Sequence, residues 1–254
     1  MKILLSNDDG ISSKGLKAIA EKLSVNNEIL VVAPSNNCSG LAHSFTVFKP
    51  ISVKQVYDYG CKAFKVDGSP VDCVKFAFLT QKDFRPEVVV AGINRGHNVG
   101  SDILYSGTVS LALEGAYFNR IAFSFSAFSP EETEFDLFAD YAVKIINQIL
   151  PIAKKGDVFN INFPDSRVKI KGIKITGLCK VIYNDEFVKL NENEYILQGE
   201  PINYDKNNPV LDDEPEIDCD YEWIKRGYIT ITPLVLDKTN FTLIEKLKEL
   251  CIQL

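Results

Sequence analysis

The sequence predicts a doubly wound α/β fold, a mostly parallel sheet with helices on both faces, followed by a β-rich arm and a terminal helix. Three observations carry this reading. Short apolar runs alternate with segments of helical periodicity through the first two thirds of the chain. The run Val88-Val89-Val90 is apolar at every position, which suits a strand buried on both faces. After Pro164 the helical periodicity gives way to strand-like pieces set between polar loops.

The elements follow in order. Lys2–Ser6 reads as the first strand. Leu16, Ile19, Ala20 and Leu23 then recur at helical spacing, with Ser12 or Ser13 available as the cap. Glu28–Ala33 is a second buried strand, closed by Pro34. Phe45–Val56 reads as extended or hairpin structure and Ala63–Val66 as another short strand. Val71, Val74, Ala77 and Phe78 share a helix face whose first turn holds Pro70. Glu87–Ala91 is a third core strand. Thr108–Tyr117 is helical, Arg120–Phe125 a strand, Glu131–Leu150 a long helix and Asp157–Ile161 a strand. In the arm, Lys171–Thr176, Glu194–Glu200 and Tyr228–Pro233 read as strands and Phe241–Ile252 as the terminal helix. The expected organisation is an α/β core over residues 1–165 that carries the site, and an arm over 166–254. Right-handed crossovers leave few topologies for such a core. Ligands then bind beyond the carboxyl ends of the strands where the winding reverses. That directs attention to the loops after Ser6 and after Ala91.

Composition bounds the function. The 254 residues are 46% hydrophobic and 24% charged, which is ordinary globular usage. Of the net charge of −6, the segment Asp205–Glu222 holds eight carboxylates against Lys206, so the rest of the chain stands at +1. Its Asp212–Asp220 loop reads as a solvated excursion. No basic stripe marks a nucleic-acid partner. No apolar run approaches a membrane span, and the short stretch after Met1 is no signal peptide. The six cysteines, at 38, 61, 73, 179, 219 and 251, form no Cys-x-x-Cys pair. They are expected as free thiols in a reducing cytoplasm.

Asn7-Asp8-Asp9-Gly10 follows the first strand directly. Adjacent carboxylates at a strand end favour a hard divalent cation held by oxygen ligands, although Asn, Asp and Gly also make ordinary tight turns. Ser39-Gly40 ends the second strand's loop with a hydroxyl and an open backbone. His43, three residues on, is a candidate proton donor or a hydrogen-bonded structural histidine. The stretch from Gly92 to Asp102 holds glycines at every fourth position, unlike a dinucleotide fingerprint or a Walker loop. Tyr105-Ser106-Gly107-Thr108 then opens a helix, where free amides beside hydroxyls make a phosphate cradle or a plain Ser/Thr cap. Carboxylates, a serine, an asparagine and a helix-start anion site on neighbouring loops suit hydrolysis of a phosphate ester. A nucleotide sensor that binds without turnover is the alternative. An esterase is disfavoured, because the chain lacks a Gly-x-Ser-x-Gly elbow.

These motifs carry a resemblance. Asn7-Asp8-Asp9-Gly10, Ala33-Pro34 with Ser39-Gly40, Gly68-x-Pro70-x-Asp72-Cys73-Val74 and Gly92-Ile93-Asn94-x-Gly96-x-Asn98-x-Gly100-x-Asp102 through Tyr105-Ser106-Gly107-Thr108-Val109 resemble the SurE family. Asn160-Ile161-Asn162-Phe163-Pro164 and Gly227–Leu234 are similar to its later signatures. The resemblance implies a Rossmann-like core with a carboxyl-terminal arm exchanged between subunits, in homodimers or homotetramers. It implies a metal-dependent nucleotidase acting on nucleoside 5′-monophosphates, with 3′-monophosphates and short polyphosphate as further substrates. One divalent cation per subunit, Mg²⁺ or Mn²⁺, is expected. By position its ligands are Asp8, Asp9, Ser39 and Asn94, the two aspartates also being the catalytic pair. Gly40, Asn98, Ser106, Gly107 and Thr108 would contact the phosphate. Three residues depart from the family pattern: Ser69 stands where Thr is usual, Cys219 replaces the Thr of a Thr-Asp pair, and Trp223 replaces a small residue.

Overall fold

The computed structural model of the protein describes residues 1–129, 134–180, 184–199 and 218–250. Among the described residues, nine strands build one sheet. They are β1 (Lys2–Ser6), β2 (Glu28–Pro34), β3 (Ser52–Val56), β4 (Lys62–Asp67), β5 (Val88–Arg95), β6 (Ile121–Ala127), β7 (Val158–Phe163), β8 (Gly172–Ile175) and, later in the chain, β11 (Tyr228–Leu234). The order across the sheet is β3-β4-β2-β1-β5-β6-β7-β11-β8. From β4 to β7 all neighbours are parallel. β3 and β11 run antiparallel to β4 and β7, and β8 lies parallel to β11. The chain winds outward from β1 to β2 and β4, then returns to place β5 on the other side of β1. The winding therefore reverses between β1 and β5, as the alternation of strands and helices predicts.

Four helices cover the sheet: α1 (Lys14–Ser24), α2 (Pro70–Thr80), α3 (Gly107–Tyr117) and α4 (Phe135–Ile149). Because side chains alternate along a strand, Ile3 and Leu5 enter one core with Leu16, Ile19, Phe138 and Ile146 of α1 and α4. Leu4 enters the other, with Val74 and Ala77 of α2 and Leu111 and Ala112 of α3. Full burial of each such side chain is worth about 1.5–3 kcal/mol. α1 starts where Ser13 Oγ accepts the Leu16 N–H, and α2 where Ser69 and Asp72 form a reciprocal capping box ahead of Pro70. α3 lies unusually close to the sheet. A Cβ on Gly115 would meet Val89 at 2.8 Å, so only glycine lets the helix settle there.

Several expectations are corrected. β5 does not end at Ala91; it resumes its pairing with β6 after a register shift and carries Asn94 and Arg95 against Ser126 and Ala127. Part of the expected long loop is thus strand, and Gly100–Leu104 is a 3-10 helix. Of Phe45–Val56 only Ser52–Val56 is a strand; Phe45, Val47 and Phe48 stand exposed outside the sheet. In the arm, β8 and β11 complete the main sheet, while β9 (Glu186–Lys189) and β10 (Tyr195–Gln198) form a separate antiparallel pair. A short helix α5 (Asp220–Lys225) precedes β11, and β9 and α5 had no periodic signal. The terminal helix α6 runs Phe241–Glu249. The first residues expected in α4, the body of the acidic segment and Cys251 lie outside the described residues.

The expectation of free thiols fails at one pair. Gly177 and Cys219 meet in a β-bridge where the chain leaves β8, which brings the Cα atoms of Cys179 and Cys219 to 5.0 Å, and the two form a disulfide. Cys38, Cys61 and Cys73 are free. Among the described residues, no helix is long and apolar enough to cross a membrane.

Candidate active site

The first loop beyond the sheet edge is both a turn and a donor site. Asn7, fully buried, closes the turn by accepting the Gly10 N–H and donating to the Gly10 carbonyl at 3.0 Å and to Ser13 Oγ at 2.6 Å. This leaves Asp8 and Asp9 at its apex. Asp8 is 3% exposed and faces the start of α3, where the Thr108 hydroxyl and the Gly107 and Thr108 amides donate to its carboxylate. The approach is close enough that a Cβ on Gly107 would stand 2.7 Å from the Asp8 side chain. Burial pushes the Asp8 carboxyl above its ordinary value, and the hydrogen bonds from α3 recover only part of that shift. Asp9 is more open and accepts the Arg95 N–H at 3.1 Å.

Ser39 and Gly40 arrive from the loop after β2, which is tied down by the Cys38 N–H donating to the Asp8 carbonyl at 2.7 Å. Asn94, at the end of β5, donates its amide nitrogen to the Gly96 carbonyl at 2.9 Å, which leaves its oxygen, a lone-pair acceptor, on the other branch. Ser106 caps α3 through the Val109 N–H. Asp8, Ser39, Gly40, Asn94, Asn98 and Ser106 border one cavity of about 260 Å³. Of the other predicted residues, Thr108 is fully buried behind Asp8, Gly107 lies against it, and Asp9 borders the adjoining cavity with Ser12 and Lys14. His43 lines neither of the two. Its Nε2 meets Glu114 at 2.9 Å, and Lys75 takes the other oxygen of the same carboxylate at 2.7 Å.

A buried polar ladder holds Asn98. Its N–H donates to Asn162 Oδ1, its carbonyl accepts from the side chains of Asn160 and Asn162, and its own amide donates to Ser126 Oγ at 2.8 Å. These partners are all completely buried at the carboxyl ends of β6 and β7.

Sequence reasoning missed His97, Asp102 and Tyr105 as cavity walls. His97 Nε2 lies 2.8 Å from the Phe163 carbonyl; a carbonyl only accepts, so Nε2 carries the hydrogen and Nδ1 is the ring's acceptor. Burial pushes the imidazole below its ordinary value, which favours its neutral form. A histidine between Gly96 and Asn98 carries no sequence signal for this role.

The donors that could hold a cation are all oxygens: the Asp8 and Asp9 carboxylates, the Ser39 hydroxyl and the Asn94 amide. Hard cations such as Mg²⁺ and Mn²⁺ select that set. A buried carboxylate whose charge is only partly stabilised by α3 also fits a cation beside it.

The family model for "Survival protein SurE" matches residues 3–185. The chain belongs to the SurE family. Among SurE relatives, the 5′-nucleotidase SurE of Clostridium botulinum (strain ATCC 19397 / Type A) is 38% identical over an alignment covering 98% of this chain and 99% of that protein. The 5′-nucleotidase SurE of Kosmotoga olearia is 36% identical, with 98% of each chain covered. The crystal structure of the SurE protein from Aquifex aeolicus superposes with a TM-score of 0.82 at 34% identity, over 98% of this chain and 99% of that one. The SurE likeness therefore spans both the core and the arm.

Proposed function

We propose that this SurE-family chain is a divalent-cation-dependent phosphomonoesterase that hydrolyses nucleoside 5′-monophosphates to nucleoside and phosphate. The observation that carries the reading is the convergence of Asp8, Ser39 and Asn94 with the Ser106 start of α3 on one cavity. Oxygen donors for a cation and a helix amino terminus for an anion thus face the same space. The names of the SurE relatives, which share about a third of their residues with this chain over nearly full length, support the nucleotide as substrate.

Asp8, Asp9, Ser39 and Asn94 would hold the cation, Gly40, Asn98 and Ser106 would border the phosphate, and Gly107 and Thr108 would act from behind by holding Asp8. Mg²⁺ or Mn²⁺ bound there supplies Lewis-acid stabilisation of charge on the phosphoryl oxygens. Water attacks phosphorus and gives up a proton to a carboxylate of the Asp8–Asp9 pair, the bond to the nucleoside oxygen breaks, and that oxygen takes a proton from solvent as the nucleoside departs. The Ser106 hydroxyl at the start of α3 borders the same cavity and would meet charge that grows on the phosphate, which is how fixed donors lower a barrier. Nucleoside 3′-monophosphates and short polyphosphate present the same phosphoryl group and are proposed as further substrates. Exchange of the arm between subunits, as a homodimer or homotetramer in the cytoplasm, completes the proposal.

The test is phosphate release from a panel of 5′- and 3′-nucleoside monophosphates with Mg²⁺ or Mn²⁺, and again with excess EDTA. Turnover that EDTA abolishes is expected. Tight nucleotide binding with no turnover in any metal would replace this reading with that of a nucleotide sensor.

A further inference from the structure

The arm reaches the phosphate cradle through one buried carboxylate. Asp220, at the start of α5, is completely buried, and its Oδ2 accepts the Gly100 N–H at 2.9 Å. Gly100 opens the 3-10 helix that leads to Tyr105 and Ser106, whose amides both return to the Asp102 carbonyl. Gly100 also lies two residues from Asn98 on the cavity wall. The other oxygen of Asp220 is taken by the Cys179 and Tyr221 amides at 2.9 and 2.8 Å, and its own N–H donates to Gly177. One amide that aims Asp220 therefore belongs to Cys179, whose disulfide partner Cys219 directly precedes Asp220 in the chain. Cys219 is 7% exposed, whereas Cys179 is half-buried and accessible to a reductant in solution.

We propose that Asp220 is a positioning residue for the Gly100–Ser106 segment of the phosphate cradle, and that the Cys179–Cys219 disulfide is a two-electron switch on its grip. The inference rests on the phosphomonoesterase reading of the cavity. A dithiol supplies two electrons and two protons, the Sγ–Sγ bond breaks to two thiols, and the dithiol closes to its own disulfide. Once that bond is broken, no covalent link ties the half-buried Cys179 segment to the enclosed Cys219. That segment carries the amide holding Asp220, so Gly100 loses its fixed acceptor. The oxidised form holds the cradle and the reduced form loosens it.

The experiment uses the full-length protein, air-oxidised or treated with dithiothreitol under excess Mg²⁺, with thiol titration to score the pair. Reduction is expected to raise the KM for a nucleoside 5′-monophosphate about tenfold with a smaller fall in kcat, reversibly on reoxidation. Cys219→Ser should make both constants indifferent to dithiothreitol. Amide exchange at Gly100 should quicken on reduction of the wild type, a readout that needs no turnover. Asp220→Asn should raise KM in both redox forms. Equal kinetics and equal Gly100 exchange in the two titrated forms would overturn the proposal, as would a pair that oxidants leave as thiols. A Gly100 response without turnover would instead remove the phosphomonoesterase reading and leave the switch standing.

Discussion

Asn162 replaces a strand partner for Asn98: its side-chain oxygen accepts the Asn98 N–H at 2.8 Å and its side-chain nitrogen donates to the Asn98 carbonyl at 2.9 Å. One amide thus satisfies both backbone groups of a residue that the sheet itself does not reach. Asn162→Ala leaves the buried N–H without its partner, while Asn160 still serves the carbonyl. The expected cost is about 1–3 kcal/mol in the unfolding free energy, with a raised KM for nucleotide. Denaturant titration beside Asn160→Ala checks this, because that variant keeps the N–H paired and should raise KM less.

Asp8 and Gly107 make a second prediction. Gly107→Ala places a methyl 2.7 Å from the Asp8 side chain, so the carboxylate must move off the start of α3. Turnover should fall by on the order of a hundredfold while the far-ultraviolet circular dichroism stays unchanged. Near-wild-type turnover would show that Asp8 works from another position.

Asp8→Asn keeps the size and the Thr108 contact but removes the charge. On the proposed function, turnover drops on the order of a thousandfold and the concentration of Mg²⁺ or Mn²⁺ for half-activation rises. The unfolding midpoint without metal should rise, since a buried carboxylate whose ionised form is disfavoured by burial is replaced by a neutral amide. A metal titration and a thermal melt on the same preparation separate the two effects.

Glu114 contributes to the acid limb of stability. Burial alone would raise its carboxyl, but the His43 and Lys75 bonds outweigh burial and hold it below its ordinary 4.5. A depressed carboxylate stabilises the fold fully above about pH 4.5, and that contribution is lost as the pH falls through the folded value. Melting temperatures taken from about pH 6 down to pH 3 should therefore fall less for Glu114→Gln than for the wild type. The variant should also be the less stable of the two at neutral pH.

What was legible in the sequence is what local chemistry decides. The alternation of Ile3, Leu4 and Leu5 between two cores, the Ser69–Pro70 helix start and the glycine-rich loops at the winding reversal all follow from neighbouring residues. The extension of β5 to Arg95 was not legible, because β6 supplies the pairing that makes Asn94 and Arg95 strand. The disulfide was hidden for the same reason: its cysteines are 40 residues apart and meet through the bridge at Gly177. At the site, the residue types that favour a cation and a phosphate stood out as Asp8, Asp9 and Asn94. His97 and Asp220 did not, since their roles come from a carbonyl at Phe163 and an amide at Gly100 that only the fold brings near.

α3 is fitted without clearance at both ends, against Asp8 at Gly107 and against Val89 at Gly115. It behaves as a rod seated in two bearings, one at the chemistry and one deep in the sheet. A change of volume at Val89 therefore bears on the same helix that seats Asp8 at its other end. Drift in that core is constrained by the phosphate cradle as well as by the fold.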